Sequence, residues 1–246
     1  MFKDKVVLIT GGTRGIGKAT ALKFAKLGAK VIVVFAKNQI KADSLINEVN
    51  SFGGVIKAIK ADVSIESELN RIVKESLSLF GKIDILVNNA GIVFDREFED
   101  ITYEESLKIL RTNILAPLFL SQKIAPIMLK NKKGGTIINV SSTSGMYVFA
   151  PGTADYAMSK IALQSLTKDL SMKYAPEIRV NAVAPGWVDT DMNADLPKEY
   201  IDGEIQKFHL KRLAKPEEIA DTIVYLAGSN ASYITGQVIV LDGGYC

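Results

Sequence analysis

Residues 5–28 read KVVLITGGTRGIGKATALKFAKLG. The stretch opens on an apolar run, Val6 to Ile9, of the kind buried on both faces of a parallel sheet. It breaks at Gly11 into a glycine-rich turn and resumes as apolar residues at three- and four-residue spacing. Strand, glycine turn and helix in that order are the opening of a βαβ unit, and the chain repeats the alternation to its end. Strand-like runs follow at 29–35, 54–61, 83–89, 135–142, 178–185 and 236–244, and helical periodicity at 38–52, 64–80, 103–130, 154–174 and 216–228.

Parallel strands joined by right-handed helical crossovers give a doubly wound sheet whose ligands lie at the carboxyl ends of the strands. The pattern predicts one α/β domain of Rossmann type over residues 1–246, a seven-stranded parallel sheet with helices on both faces. A chain of 246 residues at 48% hydrophobic composition can bury a core of that size. Its net charge of +3, from 30 basic and 27 acidic residues spread along the chain, is too weak and mixed for a nucleic-acid footprint and leaves a mild preference for anionic small molecules. The sole cysteine, Cys246, allows no internal disulfide, so a reducing compartment is expected. No apolar run reaches the roughly 18 residues of a membrane span, and the expected location is the cytoplasm. His209 is the only histidine, and without Cys/His ligand spacing no metal site is expected. The least periodic stretch, VDTDMNADLPKEYIDGEIQKFHLKR at 188–212, is expected to be a mobile substrate lid, with a permanently docked pair of short helices as the alternative.

Gly11, Gly15 and Gly17 let the backbone turn sharply and approach a pyrophosphate, whose charge suits the N-terminus of the following helix. Their spacing differs from G-x-G-x-x-G, and an ordinary tight turn is the alternative. After the second strand an NAD site offers a carboxylate to the ribose 2′-hydroxyl. Here Phe35, Ala36, Lys37 and Asn38 offer none. Lys37 and Arg14 could instead neutralise a 2′-phosphate, so NADP(H) is expected over NAD(H), with solvated surface charges as the alternative.

Tyr156 and Lys160 stand one helical turn apart on one face. A phenol that titrates near 10 becomes an acid–base group at neutral pH only if its phenolate is stabilised, and the lysine charge can do that. Such pairs also arise by chance. The strand GTIINVSS ends in Ser141 and Ser142, where a hydroxyl could hold a carbonyl oxygen or simply close a turn. Within 103–130, Pro117 has no N–H for the carbonyl of Asn113, which could bind a water in a proton relay towards Lys160 or mark a packing kink.

Taken together, TGGTRGIG, the NNAG of 88–91, Asn113, the NVSS serine, YAMSK and PGWVDTDM resemble a short-chain dehydrogenase/reductase along nearly the whole chain. The resemblance implies that Tyr156 is the catalytic acid–base, that Lys160 lowers its pKa and binds the nicotinamide ribose, that Ser142 polarises the carbonyl and that Asn113 organises the relay water. It further implies cofactor contacts from Gly11, Thr13, Arg14, Gly15, Ile16 and Gly17, from Lys37, from Asp62 and Val63 at the adenine, from Asn89, Ala90 and Gly91, and from Pro185, Gly186, Val188 and Thr190 at the nicotinamide. Within the family the chain is most similar to beta-ketoacyl-acyl-carrier-protein reductases, through Asp95-Arg96 after NNAG, KPEEIA and ASYITGQVIVLDGG. Thirteen residues lie between Ser142 and Tyr156, one more than the family usually places there. Lys133 matches one basic carrier-docking position, and Ala175-Pro176-Glu177 stands near the other.

The expected activity is NADPH-dependent reduction of a 3-oxoacyl thioester, with acyl carrier protein a possible partner, Met146, Tyr147 and Phe149 as a substrate wall, and Trp187 beside the cofactor. A dehydrogenase for a sugar, polyol or other secondary alcohol is the alternative within the family. A nucleotide-sensing binding protein is the alternative outside enzymes, against which the Asn-Ser-Tyr-Lys set speaks. A homotetramer built on the helices at 103–130 and 154–174 is also expected.

Overall fold

The computed structural model describes residues 2–193 and 196–245, so Cys246 and two positions of the expected lid, 194 and 195, lie outside the described residues. Seven strands, β1 (Val6–Thr10), β2 (Lys30–Phe35), β3 (Val55–Lys60), β4 (Ile85–Asn88), β5 (Gly135–Val140), β6 (Ile178–Pro185) and β7 (Val238–Leu241), form one sheet in the order β3-β2-β1-β4-β5-β6-β7. Every neighbouring pair is parallel, with Val7 opposite Val31 on one side and Ile85 on the other. The connections are α1 (Gly15–Lys26), α2 (Gln39–Ser51), α3 (Glu66–Phe80), α4 (Tyr103–Leu110), α5 (Ala116–Leu129), α6 (Ala154–Tyr174), α7 (Lys198–Lys207) and α8 (Pro216–Ala227).

Alternation along the strands divides the core into two layers. Val7, Ile9, Val31 and Val33 pack with Phe24 of α1, Leu45 of α2 and Ile223 of α8. Val6, Leu8, Ile32 and Val34 pack on the other face with Ile72 of α3, Leu120 of α5 and Leu170 of α6. The doubly wound sheet therefore carries helices on both faces, as its apolar runs predict. At the edge, β3 buries only Ile56 and Ile59 well and turns Val55, Lys57 and Lys60 to solvent, since one of its faces lacks a full helical cover.

Two stretches depart from expectation. The helix read over 103–130 is broken: α4 ends at Leu110, Arg111–Leu115 is π-helical with the Ala116 N–H donating to the Arg111 carbonyl, and α5 begins at Ala116. Pro117 falls in the first turn of α5, where a missing N–H costs little, so the chain widens by one residue instead of paying for an interior kink. The stretch 188–212 contains α7, with Ile201 and Ile205 one turn apart and Phe208 buried at its end against Tyr245. Among the described residues no helix is long and apolar enough to cross a membrane.

A polar ladder crosses the inside of the second layer. Asn88 donates from Nδ2 to Asn139 Oδ1 at 2.8 Å, and Asn139 donates from its own Nδ2 to Thr167 Oγ1 at 2.9 Å, all three buried. It ties β4, β5 and α6 in one register, because each group left without its partner would carry its full desolvation penalty. Asn139→Ala should cost about 1–3 kcal/mol, read as a lower midpoint in urea unfolding with an unchanged slope.

Candidate active site

The sheet order changes direction between β1 and β4, the place where a doubly wound sheet opens a crevice. Both strands end there in turns that are bonded to each other. Thr10 Oγ1 accepts from the backbone N–H groups of Asn89 and Ala90, each at 3.0 Å, while Asn89 Nδ2 donates to the carbonyls of Thr10 and Gly11 at 2.9 and 3.0 Å. The contact leaves no room for side chains. A Cβ on Gly17 would lie 2.2 Å from the Gly11 carbonyl oxygen, and one on Gly11, whose φ is +64°, would lie 3.0 Å from the Ala90 Cα. Gly12, unremarked in the sequence pattern, is equally constrained, 2.5 Å from the Val33 side chain on the same test.

Helix α1 starts from this turn with no side-chain cap and no acidic residue in its first turn. Its leading N–H groups and positive dipole end suit an anion, so the turn fits the pyrophosphate of a dinucleotide. Thr13 is buried within the turn, and Ile16 packs at the edge of the first core layer. Arg14 and Lys37 are exposed, and β2 ends without a carboxylate. Asp62 caps its own turn, accepting from the Ser64 N–H at 2.9 Å and hydroxyl at 2.7 Å, with Val63 buried beneath it. Pro185 accepts from the Thr143 N–H at 3.0 Å and Gly186 donates to Leu241 at 2.9 Å. Val188 is buried, and Thr190 comes down on the turn with its methyl 3.1 Å from where a Gly15 Cβ would stand.

The polar groups converge on the carboxyl end of β5. Lys160 is 4% exposed and donates from Nζ to the Val140 carbonyl at 2.8 Å; burial pushes its ammonium down to about 8. Its charge lies 5.5 Å from the Tyr156 ring centre, and a Cβ on Gly91 would stand 3.3 Å from Nζ. The Ser142 hydroxyl is near enough to the Tyr156 phenol to pull it downward, while its own hydrogen bonds run to Ser144, donating to Oγ and accepting from the N–H, each at 3.1 Å. Ser141 points elsewhere, donating to the Lys160 carbonyl at 2.8 Å, so the two adjacent serines are separated by direction. Gln164, absent from the expected set, donates to the Ser141 hydroxyl and the Ser142 carbonyl, each at 3.1 Å. The expected lowering of the phenol by Lys160 is not what dominates here: burial pushes Tyr156 up, and the Ser142 hydroxyl nearby opposes it only in part.

Asn113 lies in the π-helical turn, fully buried, and its side chain is completely engaged. Oδ1 accepts from the Ile92 N–H at 2.9 Å, and Nδ2 donates to the Ile92 carbonyl at 2.9 Å and to Ser159 Oγ at 3.0 Å. The side chain thereby pins the strand end after Gly91 to α6, a role that the proline argument about its carbonyl does not contain. Phe149 lines an open groove of about 670 Å³ with Ala157, Met158 and Ile161, on the face of α6 opposite Tyr156 and Lys160. Trp187 packs edge-on against Tyr200 of α7 at 5.9 Å.

A buried ion pair also escapes the sequence pattern. Arg96, 10% exposed, donates to Asp155 Oδ2 at 2.6 Å and to the Phe94 carbonyl at 2.8 Å. Asp155 also accepts from Ser106 Oγ at 2.8 Å and, through Oδ1, from the Tyr156 N–H at 2.9 Å. One carboxylate thus joins the segment after β4, helix α4 and the first turn of α6. The sequence signals were Asp155 beside Tyr156 and Arg96 in the Asp95-Arg96 step after NNAG, with nothing to pair them.

Comparison with known proteins agrees with this geometry. The family model described as Enoyl-(Acyl carrier protein) reductase matches residues 11–246. The 3-oxoacyl-acyl-carrier-protein reductase FabG of Thermotoga maritima is 39% identical over 243 residues, 98% of each chain. Among solved structures, a short-chain dehydrogenase/reductase from Serratia marcescens superposes with a TM-score of 0.93 at 39% identity, covering 99% of this chain and 98% of its own. A short-chain dehydrogenase from Burkholderia cenocepacia in complex with NADP does so with a TM-score of 0.93 at 32% identity and the same coverage.

The two buried charges make opposite demands that can be measured. Asp155→Ala leaves the largely buried Arg96 guanidinium with Glu105 alone as a carboxylate partner, 3.4 Å from Nε, and should destabilise by about 1–3 kcal/mol, whereas Arg96→Met with Asp155→Ala should recover part of that loss. Both are read by chemical denaturation. For Lys160, the folded ammonium titrates near 8 against an ordinary 10.5. Between those values the unfolded chain binds more protons, so the group's contribution to stability rises with pH. From pH 7 to pH 10 the unmodified chain should gain on Lys160→Met by up to roughly 3 kcal/mol, and a gap that stays constant would contradict the burial argument.

Proposed function

Since the chain belongs to the short-chain dehydrogenase/reductase family and is an NAD(P)-dependent oxidoreductase, we propose that it reduces a ketone with NADPH, a 3-oxoacyl thioester being the leading substrate. The observation that carries this reading is the buried ammonium of Lys160, held by the Val140 carbonyl 5.5 Å from the Tyr156 ring at the end of the strand that leads to Ser142. The thioester follows from the similarity to the Thermotoga reductase.

A bound nicotinamide cofactor supplies the hydride to the carbonyl carbon. The chain's own residues handle the oxygen. Ser142 offers its hydroxyl to the carbonyl oxygen, and Tyr156 passes its phenolic proton to the same atom as charge builds there. Burial keeps the phenol in its neutral, proton-donating form at neutral pH. The Lys160 charge, 5.5 Å from the ring, favours the phenolate as the proton leaves. Val140 holds that ammonium in place, and Asn113 fixes the backbone at Ile92 on the opposite wall. The glycine turn, Asp62, Val63, Asn89, Ala90, Pro185, Gly186, Val188 and Thr190 line the cofactor groove, and Arg14 and Lys37 favour a 2′-phosphate, with NAD(H) the weaker ligand. We assign one domain over 1–246 in which 188–212, with α7 inside it, covers the substrate side.

Glu177 is exposed near the second docking position, where a base would suit an acidic carrier, which favours a free acyl thioester over the carrier-bound form. Leu115, Met158, Ile161 and Met172 are exposed on or beside the long helices and support association into the expected homotetramer. The reading places the enzyme in the cytoplasm.

The experiment is a NADPH-oxidation assay across acyl thioesters, carrier-bound thioesters, diketones and sugars, run with Tyr156→Phe. The variant should retain cofactor binding and lose about 10²–10⁴-fold in turnover on the best substrate. Near-normal turnover by that variant would remove Tyr156 from the mechanism.

A further inference from the structure

One of the two cations expected to meet a 2′-phosphate, Arg14, already acts on an anion of the chain itself, together with a lysine that the sequence pattern did not single out. Lys41, in the first turn of α2 just beyond the end of β2, forms an ion pair through Nζ with Asp191 Oδ2 across 150 residues of sequence. The Arg14 charge acts on the same carboxylate, and Lys41 and Arg14 together hold the Asp191 carboxyl below its usual range against the opposing effect of desolvation. The placement follows from packing. Thr190 lies on Gly15, so the next residue stands over the glycine turn, and Asn193 Nδ2 donates to the Val188 carbonyl at 2.8 Å to close the turn that presents it. The pair is solvent-accessible, with side chains 43% and 47% exposed, so an incoming ligand can reach it.

We propose that Asp191 is an internal competitor of the cofactor's 2′-phosphate: its carboxylate pairs with Lys41 beside the charge of Arg14, a 2′-phosphate displaces it, and the displacement frees the segment after β6. This rests on the reading that the chain binds a nicotinamide dinucleotide in the groove above. It adds Lys41 to the residues that recognise the phosphate and makes Asp191 a determinant of cofactor choice. A phosphate dianion draws more strongly on the two cations than a carboxylate, whereas NADH, with a 2′-hydroxyl, leaves the pair closed.

The test is equilibrium binding of NADPH, NADH and adenosine 2′,5′-bisphosphate to the full-length unmodified chain, Asp191→Asn and Lys41→Met. Asp191→Asn, nearly isosteric and exposed, should bind NADPH and the bisphosphate about three- to tenfold more tightly at low salt, with NADH unchanged within about twofold. Lys41→Met should weaken the two phosphate ligands alone. Amide exchange over 187–193 should rise when NADPH binds and not when NADH binds. Equal weakening of NADPH and NADH by Asp191→Asn would make the pair a strap over the cofactor and overturn the proposal, as would no change for any ligand. Should the unmodified chain bind both dinucleotides equally while Asp191→Asn prefers NADPH, the NADPH reading fails and the competition stands. Should the unmodified chain prefer NADPH by a ratio the variant does not alter, only the competition fails.

Discussion

The site depends on the contact between the turns that end β1 and β4. β1 and β4 pair with each other only as far as Ile9 and Val87, and beyond Thr10 the glycine turn keeps a backbone bond only to β2, from the Gly12 N–H to the Val34 carbonyl, so the two carboxyl ends would part and leave backbone groups unpaired at the bottom of a cleft. Asn89 prevents this by donating to two carbonyls of the glycine turn, and Thr10 returns the bond by accepting from two N–H groups of the Asn-Ala turn. Buried backbone groups must be paired, and here one side chain from each turn does it for the other. The cost is steric: Gly11 and Gly17 cannot carry a Cβ, because the turns are already in contact. The same closeness leaves the first turn of α1 pointing into the crevice, its dipole facing wherever a phosphate would lie.

From that floor the polar groups are set by burial. Lys160 reaches its position along a helix that buries Leu163 and Thr167 beneath it, and the Val140 carbonyl is what its ammonium finds. A charge so placed titrates easily, and the neighbouring phenol is pushed the opposite way by the same low dielectric. Tyr156 is held from both sides. Ser142, itself tied to Ser144, lies near its hydroxyl, while Asp155 accepts its backbone N–H and passes the constraint through Arg96 to the segment after β4. The π-helical turn serves the same end, since its extra residue lets Asn113 match both backbone groups of Ile92.

The nucleotide end is arranged differently. Its charges are at the surface, where pairing is worth little and salt screens it, so they can change partners as a buried pair cannot. The buried Tyr156–Lys160 pair and the exposed Lys41–Asp191 pair thus differ in kind. The first depends on desolvation and the second on its absence.

What the amino-acid sequence determined by itself was everything with a short period. The seven strands, the helices between them, the glycine turn and the Tyr156–Lys160 spacing all follow from patterns that repeat within one or two turns of backbone, and the structure returns them in the expected order. The local pattern failed where two geometries share one signature, as with the π-helical turn at Arg111–Leu115 and helix α7 inside a stretch read as irregular. It could not choose between Ser141 and Ser142, because adjacent residues at a strand end differ only in which way they point. Only the tertiary structure decided the pairs Arg96–Asp155, Asn113–Ile92 and Lys41–Asp191, separated by 59, 21 and 150 residues. Such pairs leave no spacing in the sequence, because their partners are chosen by how the helices pack on the sheet, and that packing sums many weak contacts that no single segment contains.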